Sequence, residues 1–146
     1  MGFLLPLVSA MFFAPRAASA DSTCRIENVS PIAFGGYTSG SPTHLDSVGE
    51  LEVRCSGPVR IHMGRGTSGR LSPREMRGVS GSLSYGLFLD AARTSEWGDG
   101  SEGTSPFVGM LTSGQVMRIP VFGRVFGRQA VPAGRYIDQI TVTIIF

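Results

Sequence analysis

The chain has 146 residues, a formal net charge of +2 and 42% hydrophobic residues, with 20 glycines and 9 prolines. That length suits one domain with a real core. The charge is too small to argue for a polyanion partner by itself, and the glycine and proline content suits a turn-rich β domain rather than a helical bundle.

Residues 1–20 read as a leader. "GFLLPLVSAMFFA" is an apolar run of signal-peptide length, and Ala18-Ser19-Ala20 is a small-x-small cleavage signal, with the mature domain running over 21–146. The run is short and broken by Pro6, which argues against a transmembrane helix. No later segment resembles a membrane span.

Beyond the leader, short alternating strands are separated by glycine-rich turns. "VSPIAFGGY" (29–37) reads as a strand ending in a turn. "VGELEVRC" (48–55) places Gly49, Leu51, Val53 and Cys55 on one face and Glu50, Glu52 and Arg54 on the other. "VRIHM" (59–63) turns Val59, Ile61 and Met63 inward, and "SLSYGLFLD" (82–90) does the same with Leu83, Tyr85, Leu87 and Leu89. The segment 91–113 reads as the longest loop. "GQVMRIPVFGRVF" (114–126) is a longer strand in which Pro120 predicts an edge or a bulge. The last strand, 135–146, sets Ile140, Val142, Ile144 and Phe146 on one side, with Thr141, Thr143 and Ile145 on the other. This apolar closing strand needs a cover. Six or seven such strands predict an all-β sandwich.

After cleavage Cys24 and Cys55 are an even pair in an oxidising compartment, which predicts a disulfide. The absence of C-x-x-C and of clustered histidines disfavours a redox or metal site. "GRGTSG" (64–69) matches G-x-G-x-x-G after a strand, but Pro73 and Gly78 interrupt the helix that a dinucleotide site requires. "GTSGR" and "GVSGS" have the wrong spacing for a nucleophile elbow. His62, on the polar face of its strand, and His44, in a polar loop near Asp46, read as solvated. With no paired carboxylates standing out either, the chain is expected to be neither an enzyme nor a cofactor carrier. Arg65, Arg70, Arg74 and Arg77 form a local positive cluster, a candidate patch for an anionic surface or glycan, with Glu75 and Asp90 near it.

Taken in order, "FGGY" (34–37), "GELEVRCSG" (49–57), "PREMRG" (73–78), "LSYGLFLDAARTSEWGDG" (83–100), "VFGRV" (121–125) and "AGRYIDQITVTIIF" (133–146) resemble the spore coat protein U family, secreted subunits of archaic chaperone–usher pili and related coats. The resemblance implies an immunoglobulin-like β-sandwich that lacks its final strand and is completed by a strand from a neighbouring subunit. It implies a periplasmic chaperone, an outer-membrane usher and a neighbouring subunit as partners, and a cell-surface pilus or coat as destination. Ile140, Val142, Ile144 and Phe146 would line the open groove. Between Ala20 and Cys24 stand only Asp21, Ser22 and Thr23, about 10 Å of chain at ~3.3 Å per residue, too short for a donor strand. Such a subunit would accept a strand without donating one, as at a pilus tip, where adhesion or biofilm formation would be served. The competing expectation is a self-contained secreted sandwich that binds a carbohydrate or polyanion through the Arg65–Arg77 region or the 91–105 loop.

Overall fold

The computed structural model describes residues 23–112 and 114–146; the expected leader lies outside them. Eight strands form, and no helix among the described residues: β1 (Cys24–Ser30), β2 (Leu45–Cys55), β3 (Gly57–Met63), β4 (Arg74–Arg77), β5 (Ser82–Phe88), β6 (Phe107–Leu111), β7 (Val116–Val125) and β8 (Val142–Ile145). They build two antiparallel sheets, one in the order β1-β2-β7-β5-β4 and the other β6-β3-β8. The all-β sandwich expected from the alternating pattern is what the chain adopts.

Alternation explains the layering. In β2 the odd-numbered residues Leu51, Val53 and Cys55 are buried while Glu50, Glu52 and Arg54 are not. Val59, Ile61 and Met63 of β3 face them from the second sheet. A strand with period 2 can serve one core face and one wet face, so each sheet contributes one apolar side. Outside, charges pair across strands: Arg118 with Glu52 at 3.0 Å, and Arg124 with Asp46 at 2.7 Å. Cys24 and Cys55 face each other across β1 and β2 and are disulfide-bonded, closing a separation of 31 residues. In the chain-entropy view such a link stabilises by about 3–4 kcal/mol.

Several boundaries differ from expectation, each for a physical reason. The first strand is Cys24–Ser30, not 29–37: Pro31 lacks the N–H that would continue the ladder, and residues 32–37 lie over the sandwich interior instead. The segment 91–113 contains β6, and "REMR" forms β4, which pairs with β5. Pro120 sits in β7, which is central in strand order. However, β5 meets β7 only over Phe122–Val125, so at Pro120 the strand is paired on its β2 side alone. Locally it is an edge, and the proline is tolerated. The closing strand is reduced to Val142–Ile145, because β3 ends at Met63 and only one further bond, from the Gly64 N–H to the Thr141 carbonyl, reaches upstream of it.

Trp97 closes one end of the core. It is fully buried, and its indole N–H donates to the Ile61 carbonyl at 2.9 Å. The loop that carries it is fastened by Asp90, which accepts from the backbone N–H groups of Thr94 and Ser95. Arg93 fastens it further, donating to the carbonyls of Gly123 and Ser47 and lying over the Phe122 ring.

Candidate functional site

The inner face of the larger sheet is only partly roofed by the second one. Over the remainder lies a trough between two irregular segments. One lip is 31–37, the other 132–141. Its floor comes from the sheet: Leu51 of β2, Val121 and Val125 of β7, Leu83, Tyr85 and Leu87 of β5, and Met76 of β4. Two adjoining cavities occupy it, of about 320 and 540 Å³.

The lips have an unusual backbone. Among the described residues, 31–37 make no backbone–backbone hydrogen bond, and over 132–140 only Ile137 does, exchanging a pair with Arg77 of β4. Ala33 has one side-chain partner, the Ser47 hydroxyl. Segments whose backbone groups mostly lack backbone partners thus stand on either side of an apolar floor.

Ile140 and Val142 line the smaller cavity, and Ile144 packs against the core from β8. Phe146 lies past the end of β8, is 58% exposed and lines neither cavity. β8 is itself an edge, paired with β3 on one side only. Its alternation is therefore between the core and solvent: Ile144 inward, Ile145 outward beside Arg60.

One carboxylate anchors the second lip. Asp138 accepts from the Tyr85 hydroxyl, from the backbone N–H and hydroxyl of Thr67, and from the N–H of Gln139. Burial, and then the Asp138 hydrogen bond, hold the Tyr85 phenol well above its ordinary range, so it stays a neutral donor. No sequence signal singled out Asp138, while Tyr85 was read only as an inward residue of its strand and 31–37 as part of a strand over 29–37. The "FGGY" and "GRYID" segments came nearest, as pieces of the family pattern.

The arginine patch does not exist as a unit. Arg74 is fully buried: Nε donates to the Gly64 carbonyl at 2.9 Å, and Nη2 donates to the Met63 and Trp97 carbonyls at 3.0 and 2.8 Å. Burial draws its pKa down. It faces inward because it lies at the first position of β4, on the same face as Met76. Arg65 is held by Glu102 at 2.7 Å and by Ser101, leaving Arg70 and Arg77 exposed. The 64–69 turn opens no helix. His44 is exposed and accepts from the Gly127 N–H, whereas His62, expected to be solvated, has its Nε2 enclosed and without a partner among the described residues.

Residues 10–143 match the family model described as Spore Coat Protein U domain. Protein U of Myxococcus xanthus is 32% identical over 128 residues, which span 77% of this chain and 70% of that protein. In fold the chain is similar to a chain in the crystal structure of the CsuC–CsuE chaperone–tip adhesion subunit pre-assembly complex from archaic chaperone–usher Csu pili of Acinetobacter baumannii. The TM-score is 0.59 at 22% identity, covering 86% of this chain and 40% of that one.

Proposed function

The chain belongs to the Spore Coat Protein U domain family, and on that premise we propose that it is a secreted, non-enzymatic structural subunit of a chaperone–usher pilus or surface coat. The trough is its acceptor site. An extended strand from a neighbouring subunit lies between the lips 31–37 and 132–141, satisfies their backbone groups, and seats alternate apolar side chains on the floor and against Ile140 and Val142. Before assembly a periplasmic chaperone occupies the same place, and an outer-membrane usher carries the subunit to the cell surface. The observation that supports this reading is the pair of lips with unmatched backbone groups flanking an apolar floor. The lone Ile137–Arg77 exchange does not complete a ladder.

Thermal unfolding of the oxidised exported chain tests it. Alone, the protein is expected to bind hydrophobic dye and unfold without a single cooperative transition. With a saturating apolar-alternating peptide a single cooperative transition is expected to appear, its midpoint rising with peptide concentration. A sharp single transition that no peptide moves would show the sandwich to be complete and would end the proposal.

Residues 1–20 we take as the signal peptide. Cleavage after Ala20 leaves three residues ahead of Cys24, so the exported subunit accepts a strand and gives none, which suits a terminal position such as a tip. N-terminal sequencing of the exported chain is expected to read Asp-Ser-Thr-Cys. A start that retains residues 10–20 would overturn the terminal assignment and leave the acceptor site untouched.

A further inference from the structure

The four sheet edges are not equally defended. β1 carries Arg25 and Glu27, and β4 carries Glu75 and Arg77, with its open side partly taken by Ile137. β8 runs on from the second lip, and its Val142 lines the trough. β6 lies at the opposite edge of the smaller sheet, and its sequence Phe-Val-Gly-Met-Leu has no charge, no proline and no bulge. Exposed strand edges are ordinarily blunted by such devices. Among the described residues, 107–111 make backbone hydrogen bonds to β3 alone.

Pro58 fixes which backbone groups of β6 are free. It stands opposite Met110 and has no N–H, so that pair is not a hydrogen-bonded one. Bonded pairs alternate along an antiparallel ladder and here fall at Phe107, Gly109 and Leu111. β3 keeps the same parity past the ladder. The Met63 N–H goes to Gly98, which is bonded to Ser105 just ahead of β6, and the Gly64 N–H goes to Thr141 just ahead of β8. Val108 and Met110 therefore turn their N–H and C=O groups away from β3. Their side chains lie on the solvent face, 67% and 70% exposed, while Leu111 is buried and Phe107 packs beside Trp97.

We propose that β6 pairs with β6 of a second copy, antiparallel about a two-fold axis through Gly109. In that register Val108 faces Met110 of the second copy twice, and the outward N–H and C=O groups of both strands satisfy one another. Phe107 faces Leu111 of the second copy, so the core-facing rows meet as well. Gly109 meets itself at the closer, non-hydrogen-bonded position. A two-fold contact must be self-complementary, and an uncharged strand with this pattern sets no like charges opposite each other. Arg60, the cross-strand neighbour of Val108, meets its own copy three strand spacings away, about 14 Å, beyond the ~8 Å screening length. A five-residue seam is about 17 Å long and smaller than a standard interface. The contact is therefore weak between free copies and strengthens where copies are held side by side. It does not depend on the trough.

Sedimentation of the oxidised exported chain over a concentration series tests it, with and without a saturating strand peptide, because an open trough would associate on its own. Wild type is expected to dimerise in both conditions. Val108→Glu with Met110→Glu sets like charges opposite at both symmetric pairs and is expected to weaken dimerisation about ten-fold or more. Val108→Lys with Met110→Glu sets opposite charges there and is expected to stay within about three-fold of wild type. Amide exchange on wild type needs no variant. The Val108 and Met110 N–H groups are expected to gain protection as protein concentration rises, while that of Gly109 is protected throughout. Wild type that stays monomeric, association that the peptide abolishes, or two double variants that behave alike would overturn the pairing. Protection of Val108 and Met110 that follows peptide and not protein concentration would mean that the edge takes a foreign strand, and would overturn it too.

Discussion

Replacing Arg74 by alanine is expected to remove at least about 3 kcal/mol of stability, because three inward-facing carbonyls lose their donors together. Arg74 is the only charged side chain among the fully buried ones of the described core, and it meets Gly64, Met63 and Trp97 from a single planar group. Those carbonyls belong to the end of β3, the turn after it, and the loop that brings in Trp97. No backbone ladder reaches all three: the end of β3 and the Trp97 loop share only the bond from the Met63 N–H to the Gly98 carbonyl, which leaves the Met63, Gly64 and Trp97 carbonyls to the side chain. A guanidinium does so with its fixed fork, whereas a lysine ammonium reaches them as one point. Arg74→Lys should therefore recover only part of the loss, and Arg74→Met, which restores volume without donors, should recover little. For a domain of this size 3 kcal/mol corresponds to a fall of about 10 °C or more in Tm. The measurement is thermal unfolding of the disulfide-intact variants with a saturating strand peptide, so that the open trough is equal in all of them. A Tm within about 3 °C of wild type for Arg74→Ala would mean that water can replace the guanidinium at this site.

The sequence made the strands with one wet and one dry face easy to find, and the site harder. In β2 the alternation of Leu51, Val53 and Cys55 with glutamates and an arginine could be read directly, because burial of one face forces a period of 2. β7 was read as a longer strand over 114–126, and its Pro120 was read correctly in kind: the position behaves as an edge, although strand order makes β7 central. Arg74 was misread because an arginine in a run of arginines looks solvated until the carbonyls it satisfies are placed, and those lie 10, 11 and 23 residues away in sequence. The 31–37 lip was misread for a related reason. Ile32 and Phe34 do alternate inward, as a strand would, yet their backbone joins no neighbour among the described residues. Periodicity reports which face is covered and says nothing of whether a hydrogen-bonding partner exists. The Val142–Ile145 strand shows the same gap: apolar alternation extends back to Ile140, but the ladder stops where β3 stops.

That separation of pattern from pairing leads to the second large effect. Changing Ile140 to aspartate should abolish strand capture, lowering affinity for an apolar-alternating peptide by about a hundred-fold or more, because the carboxylate would have to be buried unpaired when the strand closes over it. Ile140 lines the cavity but lies ahead of β8, so the substitution leaves the β3–β8 ladder intact. Asp138, two residues away, is already committed to Tyr85 and Thr67 and offers the new charge no donor. The companion substitution is Ile145→Asp. Ile145 points outward at 47% exposure with Arg60 as its cross-strand neighbour, so aspartate there meets a cation and water instead of a closing strand. Isothermal titration of the same peptide into both variants should separate them: near wild-type affinity for Ile145→Asp and no measurable heat for Ile140→Asp. Equal loss in both would mean that the peptide docks by general stickiness along β8 and that the trough, for all its shape, is not where the neighbouring strand goes.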